Sequence, residues 1–469
     1  MNGHASGSLP RSRMMHWSPE AIASCTGGTL RAGAACDEAG RPLLTGVSID
    51  SRSLQAGALF VGVKGERDGH DFIGSALQAG AGGLLVEEGR ISPPGVTIPV
   101  IEVRDTATAL LEVGGAARGR LHGPVVGITG SVGKTSTKDM AAAALTAQLR
   151  TVASEKSFNN ELGVPLTLAN APEAAQVAVI EMGSRGPGHI AGLCRVARPT
   201  IGVVTAVAAA HTELLGSLEQ VADAKAELVE ALPPGGTAVL NADDGRVAAM
   251  ASRTRAHILT YSALSPPSPG ADIGAEGIAL DDVLRPSFTA RTPWGSVPVR
   301  LEARGAHQVG NALAALAVAL RCGVEPDAAA AALSRAALSP WRMELRRIDS
   351  GVFVLNDAYN ANPASMAAAL RALSELPASR RLAVLGVMAE LGESSGEQHR
   401  AITEMARNLG VELIAFGTEA YGVAPVADID EALDRLGPLR SGDAVLVKAS
   451  RVAGLERLAA RLVGPARPA

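Results

Sequence analysis

Apolar positions along this chain fall into short, nearly unbroken runs that alternate with longer alanine-rich stretches. VVGIT at 125–129, VAVIEM at 177–182, TIGVVTAV at 200–207 and TAVLNADD at 237–244 read as buried strands. Between them lie helical stretches such as the alanine-rich Met140 to Leu149. This rhythm predicts an α/β fold with a mostly parallel sheet, whose ligands gather at the carboxyl ends of the strands. Ahead of it, LTGVSIDSR (44–52), ALFVGVKG (58–65) and GGLLVEE (82–88) predict short strands separated by turns and small helices. Segment 262–300 is richer in Pro and Gly and reads as a surface excursion with short strands, and 310–333 as a long helical region. After Pro340 a second rhythm begins: VFVLNDA, a helix from Ser365, RLAVLGVM, a helix from Gly396, LIAFG and DAVLVKAS.

A chain of 469 residues is too long for one core and predicts about three domains. The breaks in pattern place them at 15–120, 121–338 and 339–469, behind a disordered extension at 1–14. A hydrophobic fraction of 47% with 19% charge describes a globular protein, and the 3% aromatic content points to small residues at helix–sheet contacts. With a net charge of −4 and mixed signs, no basic field favours nucleic acid as a partner. Cys25, Cys36, Cys194 and Cys322 lie too far apart for a zinc knuckle or a disulfide scaffold. Arg11 and Arg13 are not followed by the apolar run of a signal peptide, and no stretch resembles a membrane span, so the expected compartment is the cytoplasm.

The densest chemistry is ITGSVGKTSTK at 128–138. A strand before it and a helix after it would aim backbone N–H groups of Gly130, Ser131, Val132, Gly133, Lys134, Thr135 and Ser136 at phosphates. The Lys134 ammonium could reach the terminal phosphates, and the Thr135 hydroxyl could serve Mg²⁺. The full phosphate-loop spacing is not met, because Ile128 stands where the first glycine would be. Thr135, Glu181 and His211 supply hydroxyl, carboxylate and imidazole at strand ends, suitable for a metal–nucleotide complex. Asp243 and Asp244 fall at another such end. Lys225, on a helix between Asp223 and Glu227, is by chemistry alone a solvent-facing lysine. Ser48, Asp50, Ser51 and Arg52, with Lys64, Gly65, Asp68, Gly69 and His70, could line a ligand surface or form solvated turns. The loop by itself does not separate a kinase, a hydrolase, a motor and a ligase.

From about residue 20 to 460 the chain resembles the ATP-dependent Mur ligases of peptidoglycan synthesis. The resemblance rests on TGSVGKTSTK (129–138), FNNELGVPLTL (158–168), EMG (181–183), HTE (211–213), AKAE (224–227) and GNALAA (310–315), in that order. GVKGERDGHDF (62–72) and DAYNANPASM (357–366) resemble the branch that adds D-alanyl-D-alanine. The resemblance implies a three-domain architecture with a central P-loop ATPase-like domain and a C-terminal Rossmann-like domain. It also implies a monomer that uses ATP and Mg²⁺ to join UDP-N-acetylmuramoyl-tripeptide to the dipeptide through an acyl phosphate.

Residue by residue, it implies nucleotide contacts at Asn311, Arg342, Asp357 and Tyr359 in addition to the loop. Lys134, His211 and Lys225 would serve catalysis. Ser48, Asp50, Ser51, Arg52, Asn159, Asn160, Asn360, Asn362, Lys448, Ser450 and Arg451 would meet the substrates. Metal ligands would be Thr135, Glu181, His211 and a carbamylated Lys225. The chain departs from the family pattern at Ala206, at Gln308 after His307, at Val387 and at Ala449.

Overall fold

The computed structural model describes residues 14–31, 43–90, 96–208, 216–348 and 350–464. They form two compact units, one drawn from 1–127, 149–182 and 191–199, the other from 128–148, 183–190 and 200–469. Of the expected extension only Met14 is described, and it bridges to Pro172.

The first unit is built on five strands, β1 (Thr29–Arg31), β2 (Val47–Ser48), β3 (Leu59–Val61), β4 (Gly83–Glu87) and β5 (Val100–Val103). Their order is β1-β5-β4-β3-β2, with only the β1 edge antiparallel. The central run Leu84–Val86 is wholly buried, as a parallel strand covered on both faces must be. Helix α1 (Thr106–Arg120) starts at Asp105, whose carboxylate accepts the Thr108 N–H at 2.6 Å. Gly114 gives α1 its close approach to Pro165, where a Cβ would come within 2.5 Å of the ring.

Asn170 is the polar fastener of this unit. Its amide accepts the Val47 N–H at 2.8 Å and donates to the Val47 carbonyl at 2.9 Å, as a paired strand would. Strands β6 (Val125–Thr129), β7 (Thr151–Ala153) and β8 (Val177–Glu181) follow, β7 and β8 running parallel.

In the second unit, β9 (Ile201–Val204), β10 (Thr237–Asn241), β11 (His257–Ser262) and β12 (Ile273–Leu280) pair in parallel. The sheet then continues antiparallel through β13 (Pro286–Thr292) and β14 (Gly295–Arg300). Residues 262–300 are therefore an extension of the sheet more than an excursion. Phe288 and Ala290 on one strand, Val297 and Val299 on the next, alternate inward at the period of two that a half-buried strand needs. Helix α2 (Lys134–Thr146) packs against α3 (Gln308–Arg321) and α4 (Pro326–Leu333), two helices where one long helical region was expected. Gly323 breaks them apart at φ +83°, and Pro326 opens the second.

The last 130 residues hold a second sheet of β15 (Glu344–Arg347), β16 (Phe353–Asn356), β17 (Arg380–Leu385), β18 (Glu412–Ala415) and β19 (Asp443–Lys448). The order is β15-β16-β19-β17-β18, parallel except at the β15 edge. Leu355, Leu385 and Leu446 face one core and Val354, Val384, Val445 and Val447 the other. Lys448 therefore stands at the carboxyl end of the central strand. Asn170→Ala should lower stability by about 1–3 kcal/mol, the cost of stripping buried backbone groups of their partner. A urea midpoint unchanged from the wild type would refute that role.

Candidate active site

The loop after β6 is shaped by two glycines. Gly130 sits at φ +143°, and a Cβ there would fall 1.9 Å from the Thr205 hydroxyl; Gly133, at φ +83°, would put one 2.5 Å from Asn311 Oδ1. No other residue fits either position without displacing its neighbour. The turn is held from outside: the Ser131 N–H donates to the Ala206 carbonyl at 2.8 Å, and the Thr205 hydroxyl donates to the Val132 carbonyl. Helix α2 starts at Lys134, so its first N–H groups and positive end face the loop. Lys134 Nζ donates to the Gly130 carbonyl at 2.6 Å. Ser136 is buried on the first turn. Asn311, on α3, accepts from Thr137 at 3.2 Å and donates to Gln308 at 2.8 Å, which ties it to the loop helix.

Arg342 reaches the loop from the segment before β15. Its Nη2 donates to Thr135 Oγ1 at 2.8 Å, and its guanidinium lies 4.3 Å from the centre of the Tyr359 ring. Thr135, Arg342 and Tyr359, far apart in sequence, thus meet in one place. Arg451 stacks similarly on Trp341 at 4.3 Å and pairs with Glu456.

Lys225 departs from the solvent-facing expectation: it is 1% exposed. On helix Leu218–Glu230 it shares the inward face with Val221, Leu228 and Val229, and a 3.6-residue period brings position 225 round to that side. Burial, and then the nearby Lys134 charge, push its amine down to about 7 against the pull of Glu227. The result is a lysine able to be neutral near physiological pH.

At the end of β19, Lys448 organises the DAYNAN segment. Its ammonium pairs with the Asp357 carboxylate and donates to the Asn360 carbonyl at 2.8 Å, while Asp357 Oδ1 accepts the Met343 N–H at 3.1 Å. Ser450 joins two segments, its hydroxyl accepting the Ala389 N–H at 2.9 Å and donating to the Ala361 carbonyl at 3.2 Å. Asn362 caps the next helix, accepting the Ser365 N–H at 2.9 Å.

The remaining described candidates lie in the first unit. Asp50 grips Arg52 through two oxygens at 2.9 and 2.8 Å, and its hydroxyl neighbour Ser48 accepts the Asp50 N–H at 3.2 Å. Hydrogen bonds from the Arg52 side chain and backbone, and then the charges of Arg52 and Lys156, bring the Asp50 carboxyl down to about 2 despite partial burial. Ser51 lies in the same turn. Asn159 donates to the Glu181 carboxylate at 2.8 Å, and Asn160 Oδ1 accepts the Gly163 N–H at 2.9 Å. His211 lies outside the described residues. Among the described residues no three His, Cys, Asp or Glu side chains converge as a metal site.

Sequence reasoning missed Thr205, which braces the loop, and Trp341, which carries Arg451. An isolated threonine at a strand end and a tryptophan after a proline gave no chemical signal.

Three family profiles match: Mur ligase family, catalytic domain, at 43–116; Mur ligase middle domain at 128–319; and Mur ligase, glutamate ligase domain, at 341–451. The UDP-N-acetylmuramoyl-tripeptide--D-alanyl-D-alanine ligase of Mycobacterium tuberculosis is 40% identical, over 94% of this chain and 96% of its own. The Escherichia coli ligase of the same name is 36% identical over 88% and 93%. The crystal structure of MurF from Acinetobacter baumannii superposes with a TM-score of 0.84 at 28% identity, covering 96% of this chain and 99% of that one. MurF from Thermotoga maritima in complex with ADP gives 0.76 at 28%, over 88% and 96%. With this similarity along nearly its whole length, the chain belongs to the Mur ligase family.

Proposed function

We propose that this chain joins D-alanyl-D-alanine to UDP-N-acetylmuramoyl-tripeptide with ATP, the reaction that its M. tuberculosis and E. coli relatives are named for. The observation that carries the reading is the meeting of Arg342 with Thr135 at the phosphate loop, beside a DAYNAN segment held by Lys448. A nucleotide-handling group and a segment of the D-alanyl-D-alanine-adding type then share one centre.

The residues fit the nucleotide. Gly130 and Gly133, where a Cβ would collide with Thr205 and Asn311, permit the tight turn that ends at the N-terminus of α2, a backbone arrangement suited to phosphate oxygens. Gly130 to Ser136, with Asn311, Arg342, Asp357 and Tyr359, would hold ATP. Thr135, Glu181, His211 and Lys225 as its carbamate would hold Mg²⁺, which supplies neutralisation of phosphate charge. Ser48, Asp50, Ser51 and Arg52 would take the UDP portion. Asn159, Asn160, Asn360, Asn362, Lys448, Ser450 and Arg451 would orient the peptide carboxylate and the incoming dipeptide.

In the reaction, the tripeptide carboxylate attacks the γ-phosphorus, ADP leaves and an acyl phosphate forms. The dipeptide amine then adds to the carbonyl, loses a proton, and phosphate departs. Lys134 stabilises charge on the transferring group, and Arg342 adds a second cation. No protein nucleophile is required. The proposed division of labour follows 15–120 for the UDP substrate, 121–338 for ATP and 339–469 for the dipeptide. No helix among the described residues is long and apolar enough to cross a membrane. We place the reaction in the cytoplasm, carried out by a monomer.

Mass analysis of products formed from ATP, D-alanyl-D-alanine and UDP-tripeptides ending in lysine or in diaminopimelate tests the reading. A pentapeptide product is expected from at least one acceptor, and ATP hydrolysis without one would overturn it. Lys134→Ala should cut turnover by roughly 10²-fold or more while UDP-tripeptide still binds; normal ligation by that variant would remove Lys134 from the mechanism.

A pH test addresses Lys225. Below about pH 7 both native and unfolded chains hold its proton, so the burial penalty is complete. Between about 7 and the ordinary lysine value of 10.5 only the unfolded chain binds it, and stability climbs with pH. Lys225→Met should therefore melt higher than the wild type at pH 6, with the gap narrowing towards pH 10. Melting curves that stay parallel across that range would contradict the assignment.

A further inference from the structure

The phosphate-loop helix also carries a carboxylate, Asp139, that the reaction above does not use. Asp139 lies four residues after Thr135, so both side chains project from one face of α2. Each is met by the segment that leads into the third family domain: the Ser339 N–H donates to Asp139 Oδ2 at 2.7 Å, and Arg342 Nη2 donates to Thr135 Oγ1 at 2.8 Å. Residues three apart in the linker thus read residues four apart on the helix. The other Asp139 oxygen lies 2.9 Å from Lys138 Nζ, and both side chains are largely buried, so the carboxylate is engaged on both sides.

The linker is unusual in its backbone. Trp341 and Met343, the two neighbours of Arg342, have φ of +60° and +53°, a region that non-glycine residues seldom occupy. Such a conformation persists only when surrounding contacts impose it. The contacts are on either side: Asp139 holds Ser339, the Trp341 carbonyl accepts the Tyr359 N–H at 3.3 Å, and Asp357 holds the Met343 N–H. Without the anchor at 339, the end of the strained segment nearest α2 has no hydrogen bond from that carboxylate to fix it.

We propose that Asp139 is a positioning residue: by fixing the linker at Ser339 it presents the Arg342 guanidinium to the phosphate loop. The proposal rests on the nucleotide-binding part of the reading above. It concerns how Arg342 is placed, and assigns Asp139 no contact with substrate.

The test is a double-mutant cycle in the full chain. Binding of a non-hydrolysable ATP analogue with Mg²⁺ is measured by calorimetry for the wild type, Asp139→Ala, Arg342→Ala and the double variant. Asp139→Ala should weaken binding about tenfold, the scale of one hydrogen bond to a charged group. In the Arg342→Ala background it should cost nothing further, because the residue it positions is gone. Ser339→Pro removes the donor N–H together with the hydroxyl and the freedom of φ, should reproduce the single loss, and serves if Asp139→Ala does not fold. Losses that multiply in the double variant, or wild-type affinity in both Asp139→Ala and Ser339→Pro, would overturn the proposal. Affinity is read without turnover, so a wild-type chain that bound the nucleotide but made no pentapeptide would sink the assigned reaction and leave this inference standing.

Discussion

The structure turns on the absence of two β-carbons. At Gly130 and Gly133 the backbone runs so close to Thr205 and Asn311 that a side chain has nowhere to go, and both residues adopt positive φ. That close approach turns the chain from β6 into α2, and it brings Thr135 to where Arg342 can reach it. The braces are neutral: a threonine hydroxyl on the Val132 carbonyl and a serine N–H on the Ala206 carbonyl. Positive charge near the loop therefore comes from Lys134, Arg342 and the helix end, and charges held by protein contacts are what make electrostatic stabilisation effective in transfer reactions.

Three lysines are buried close to this chemistry, and their partners give them different roles. Lys448 faces a carboxylate and two carbonyls, so its charge is matched and it acts as a tie between β19 and the DAYNAN segment. Lys138 sits beside Asp139. Lys225 is stripped of water by burial and then opposed by the Lys134 charge, with Glu227 favouring its charged form. Removing a charge from water costs several kcal/mol unless a counter-charge compensates. Lys448 meets that condition, whereas burial and the Lys134 charge draw the Lys225 amine towards its neutral form, the form that chemical modification by carbon dioxide requires.

Much of this was legible in the sequence because the signals were periodic or covalent. Strand runs such as VAVIEM and DAVLVKAS, and the glycine spacing of the loop, depend on local rules that a single chain displays. Where helices begin was less legible: α2 starts at Lys134, well ahead of the alanine-rich stretch that announced it, because Gly133 stops the turn and the polar residues Thr135 to Asp139 form its first turns. The burial of Lys225 was hidden for a related reason. In VADAKAELVE the charges of Asp223, Lys225 and Glu227 suggest a wet face, and only the packing of Val221 and Leu228 shows which side is dry. Thr205, Trp341 and Asp139 were invisible since their importance lies wholly in what the fold sets opposite them.

The departures from the family pattern show the same dependence on surroundings. Gln308, where the family carries asparagine, is buried and accepts from Asn311, so the longer amide still orients the residue beside the loop. Ala449, where glycine is usual, is buried at the end of β19, and a Cβ at Gly386 would lie 2.8 Å from its methyl group. Space for one β-carbon exists at that crossing: the chain places it on residue 449 and leaves residue 386 without one. The Gly386 backbone then keeps its path, with its carbonyl accepting the Tyr421 hydroxyl at 2.8 Å and the Met388 N–H donating to His399 at 3.0 Å. That path sets the Ala389 N–H against Ser450, which also holds Ala361. A substitution that looks like damage in the motif thus preserves the contact between the two segments that flank the proposed dipeptide site.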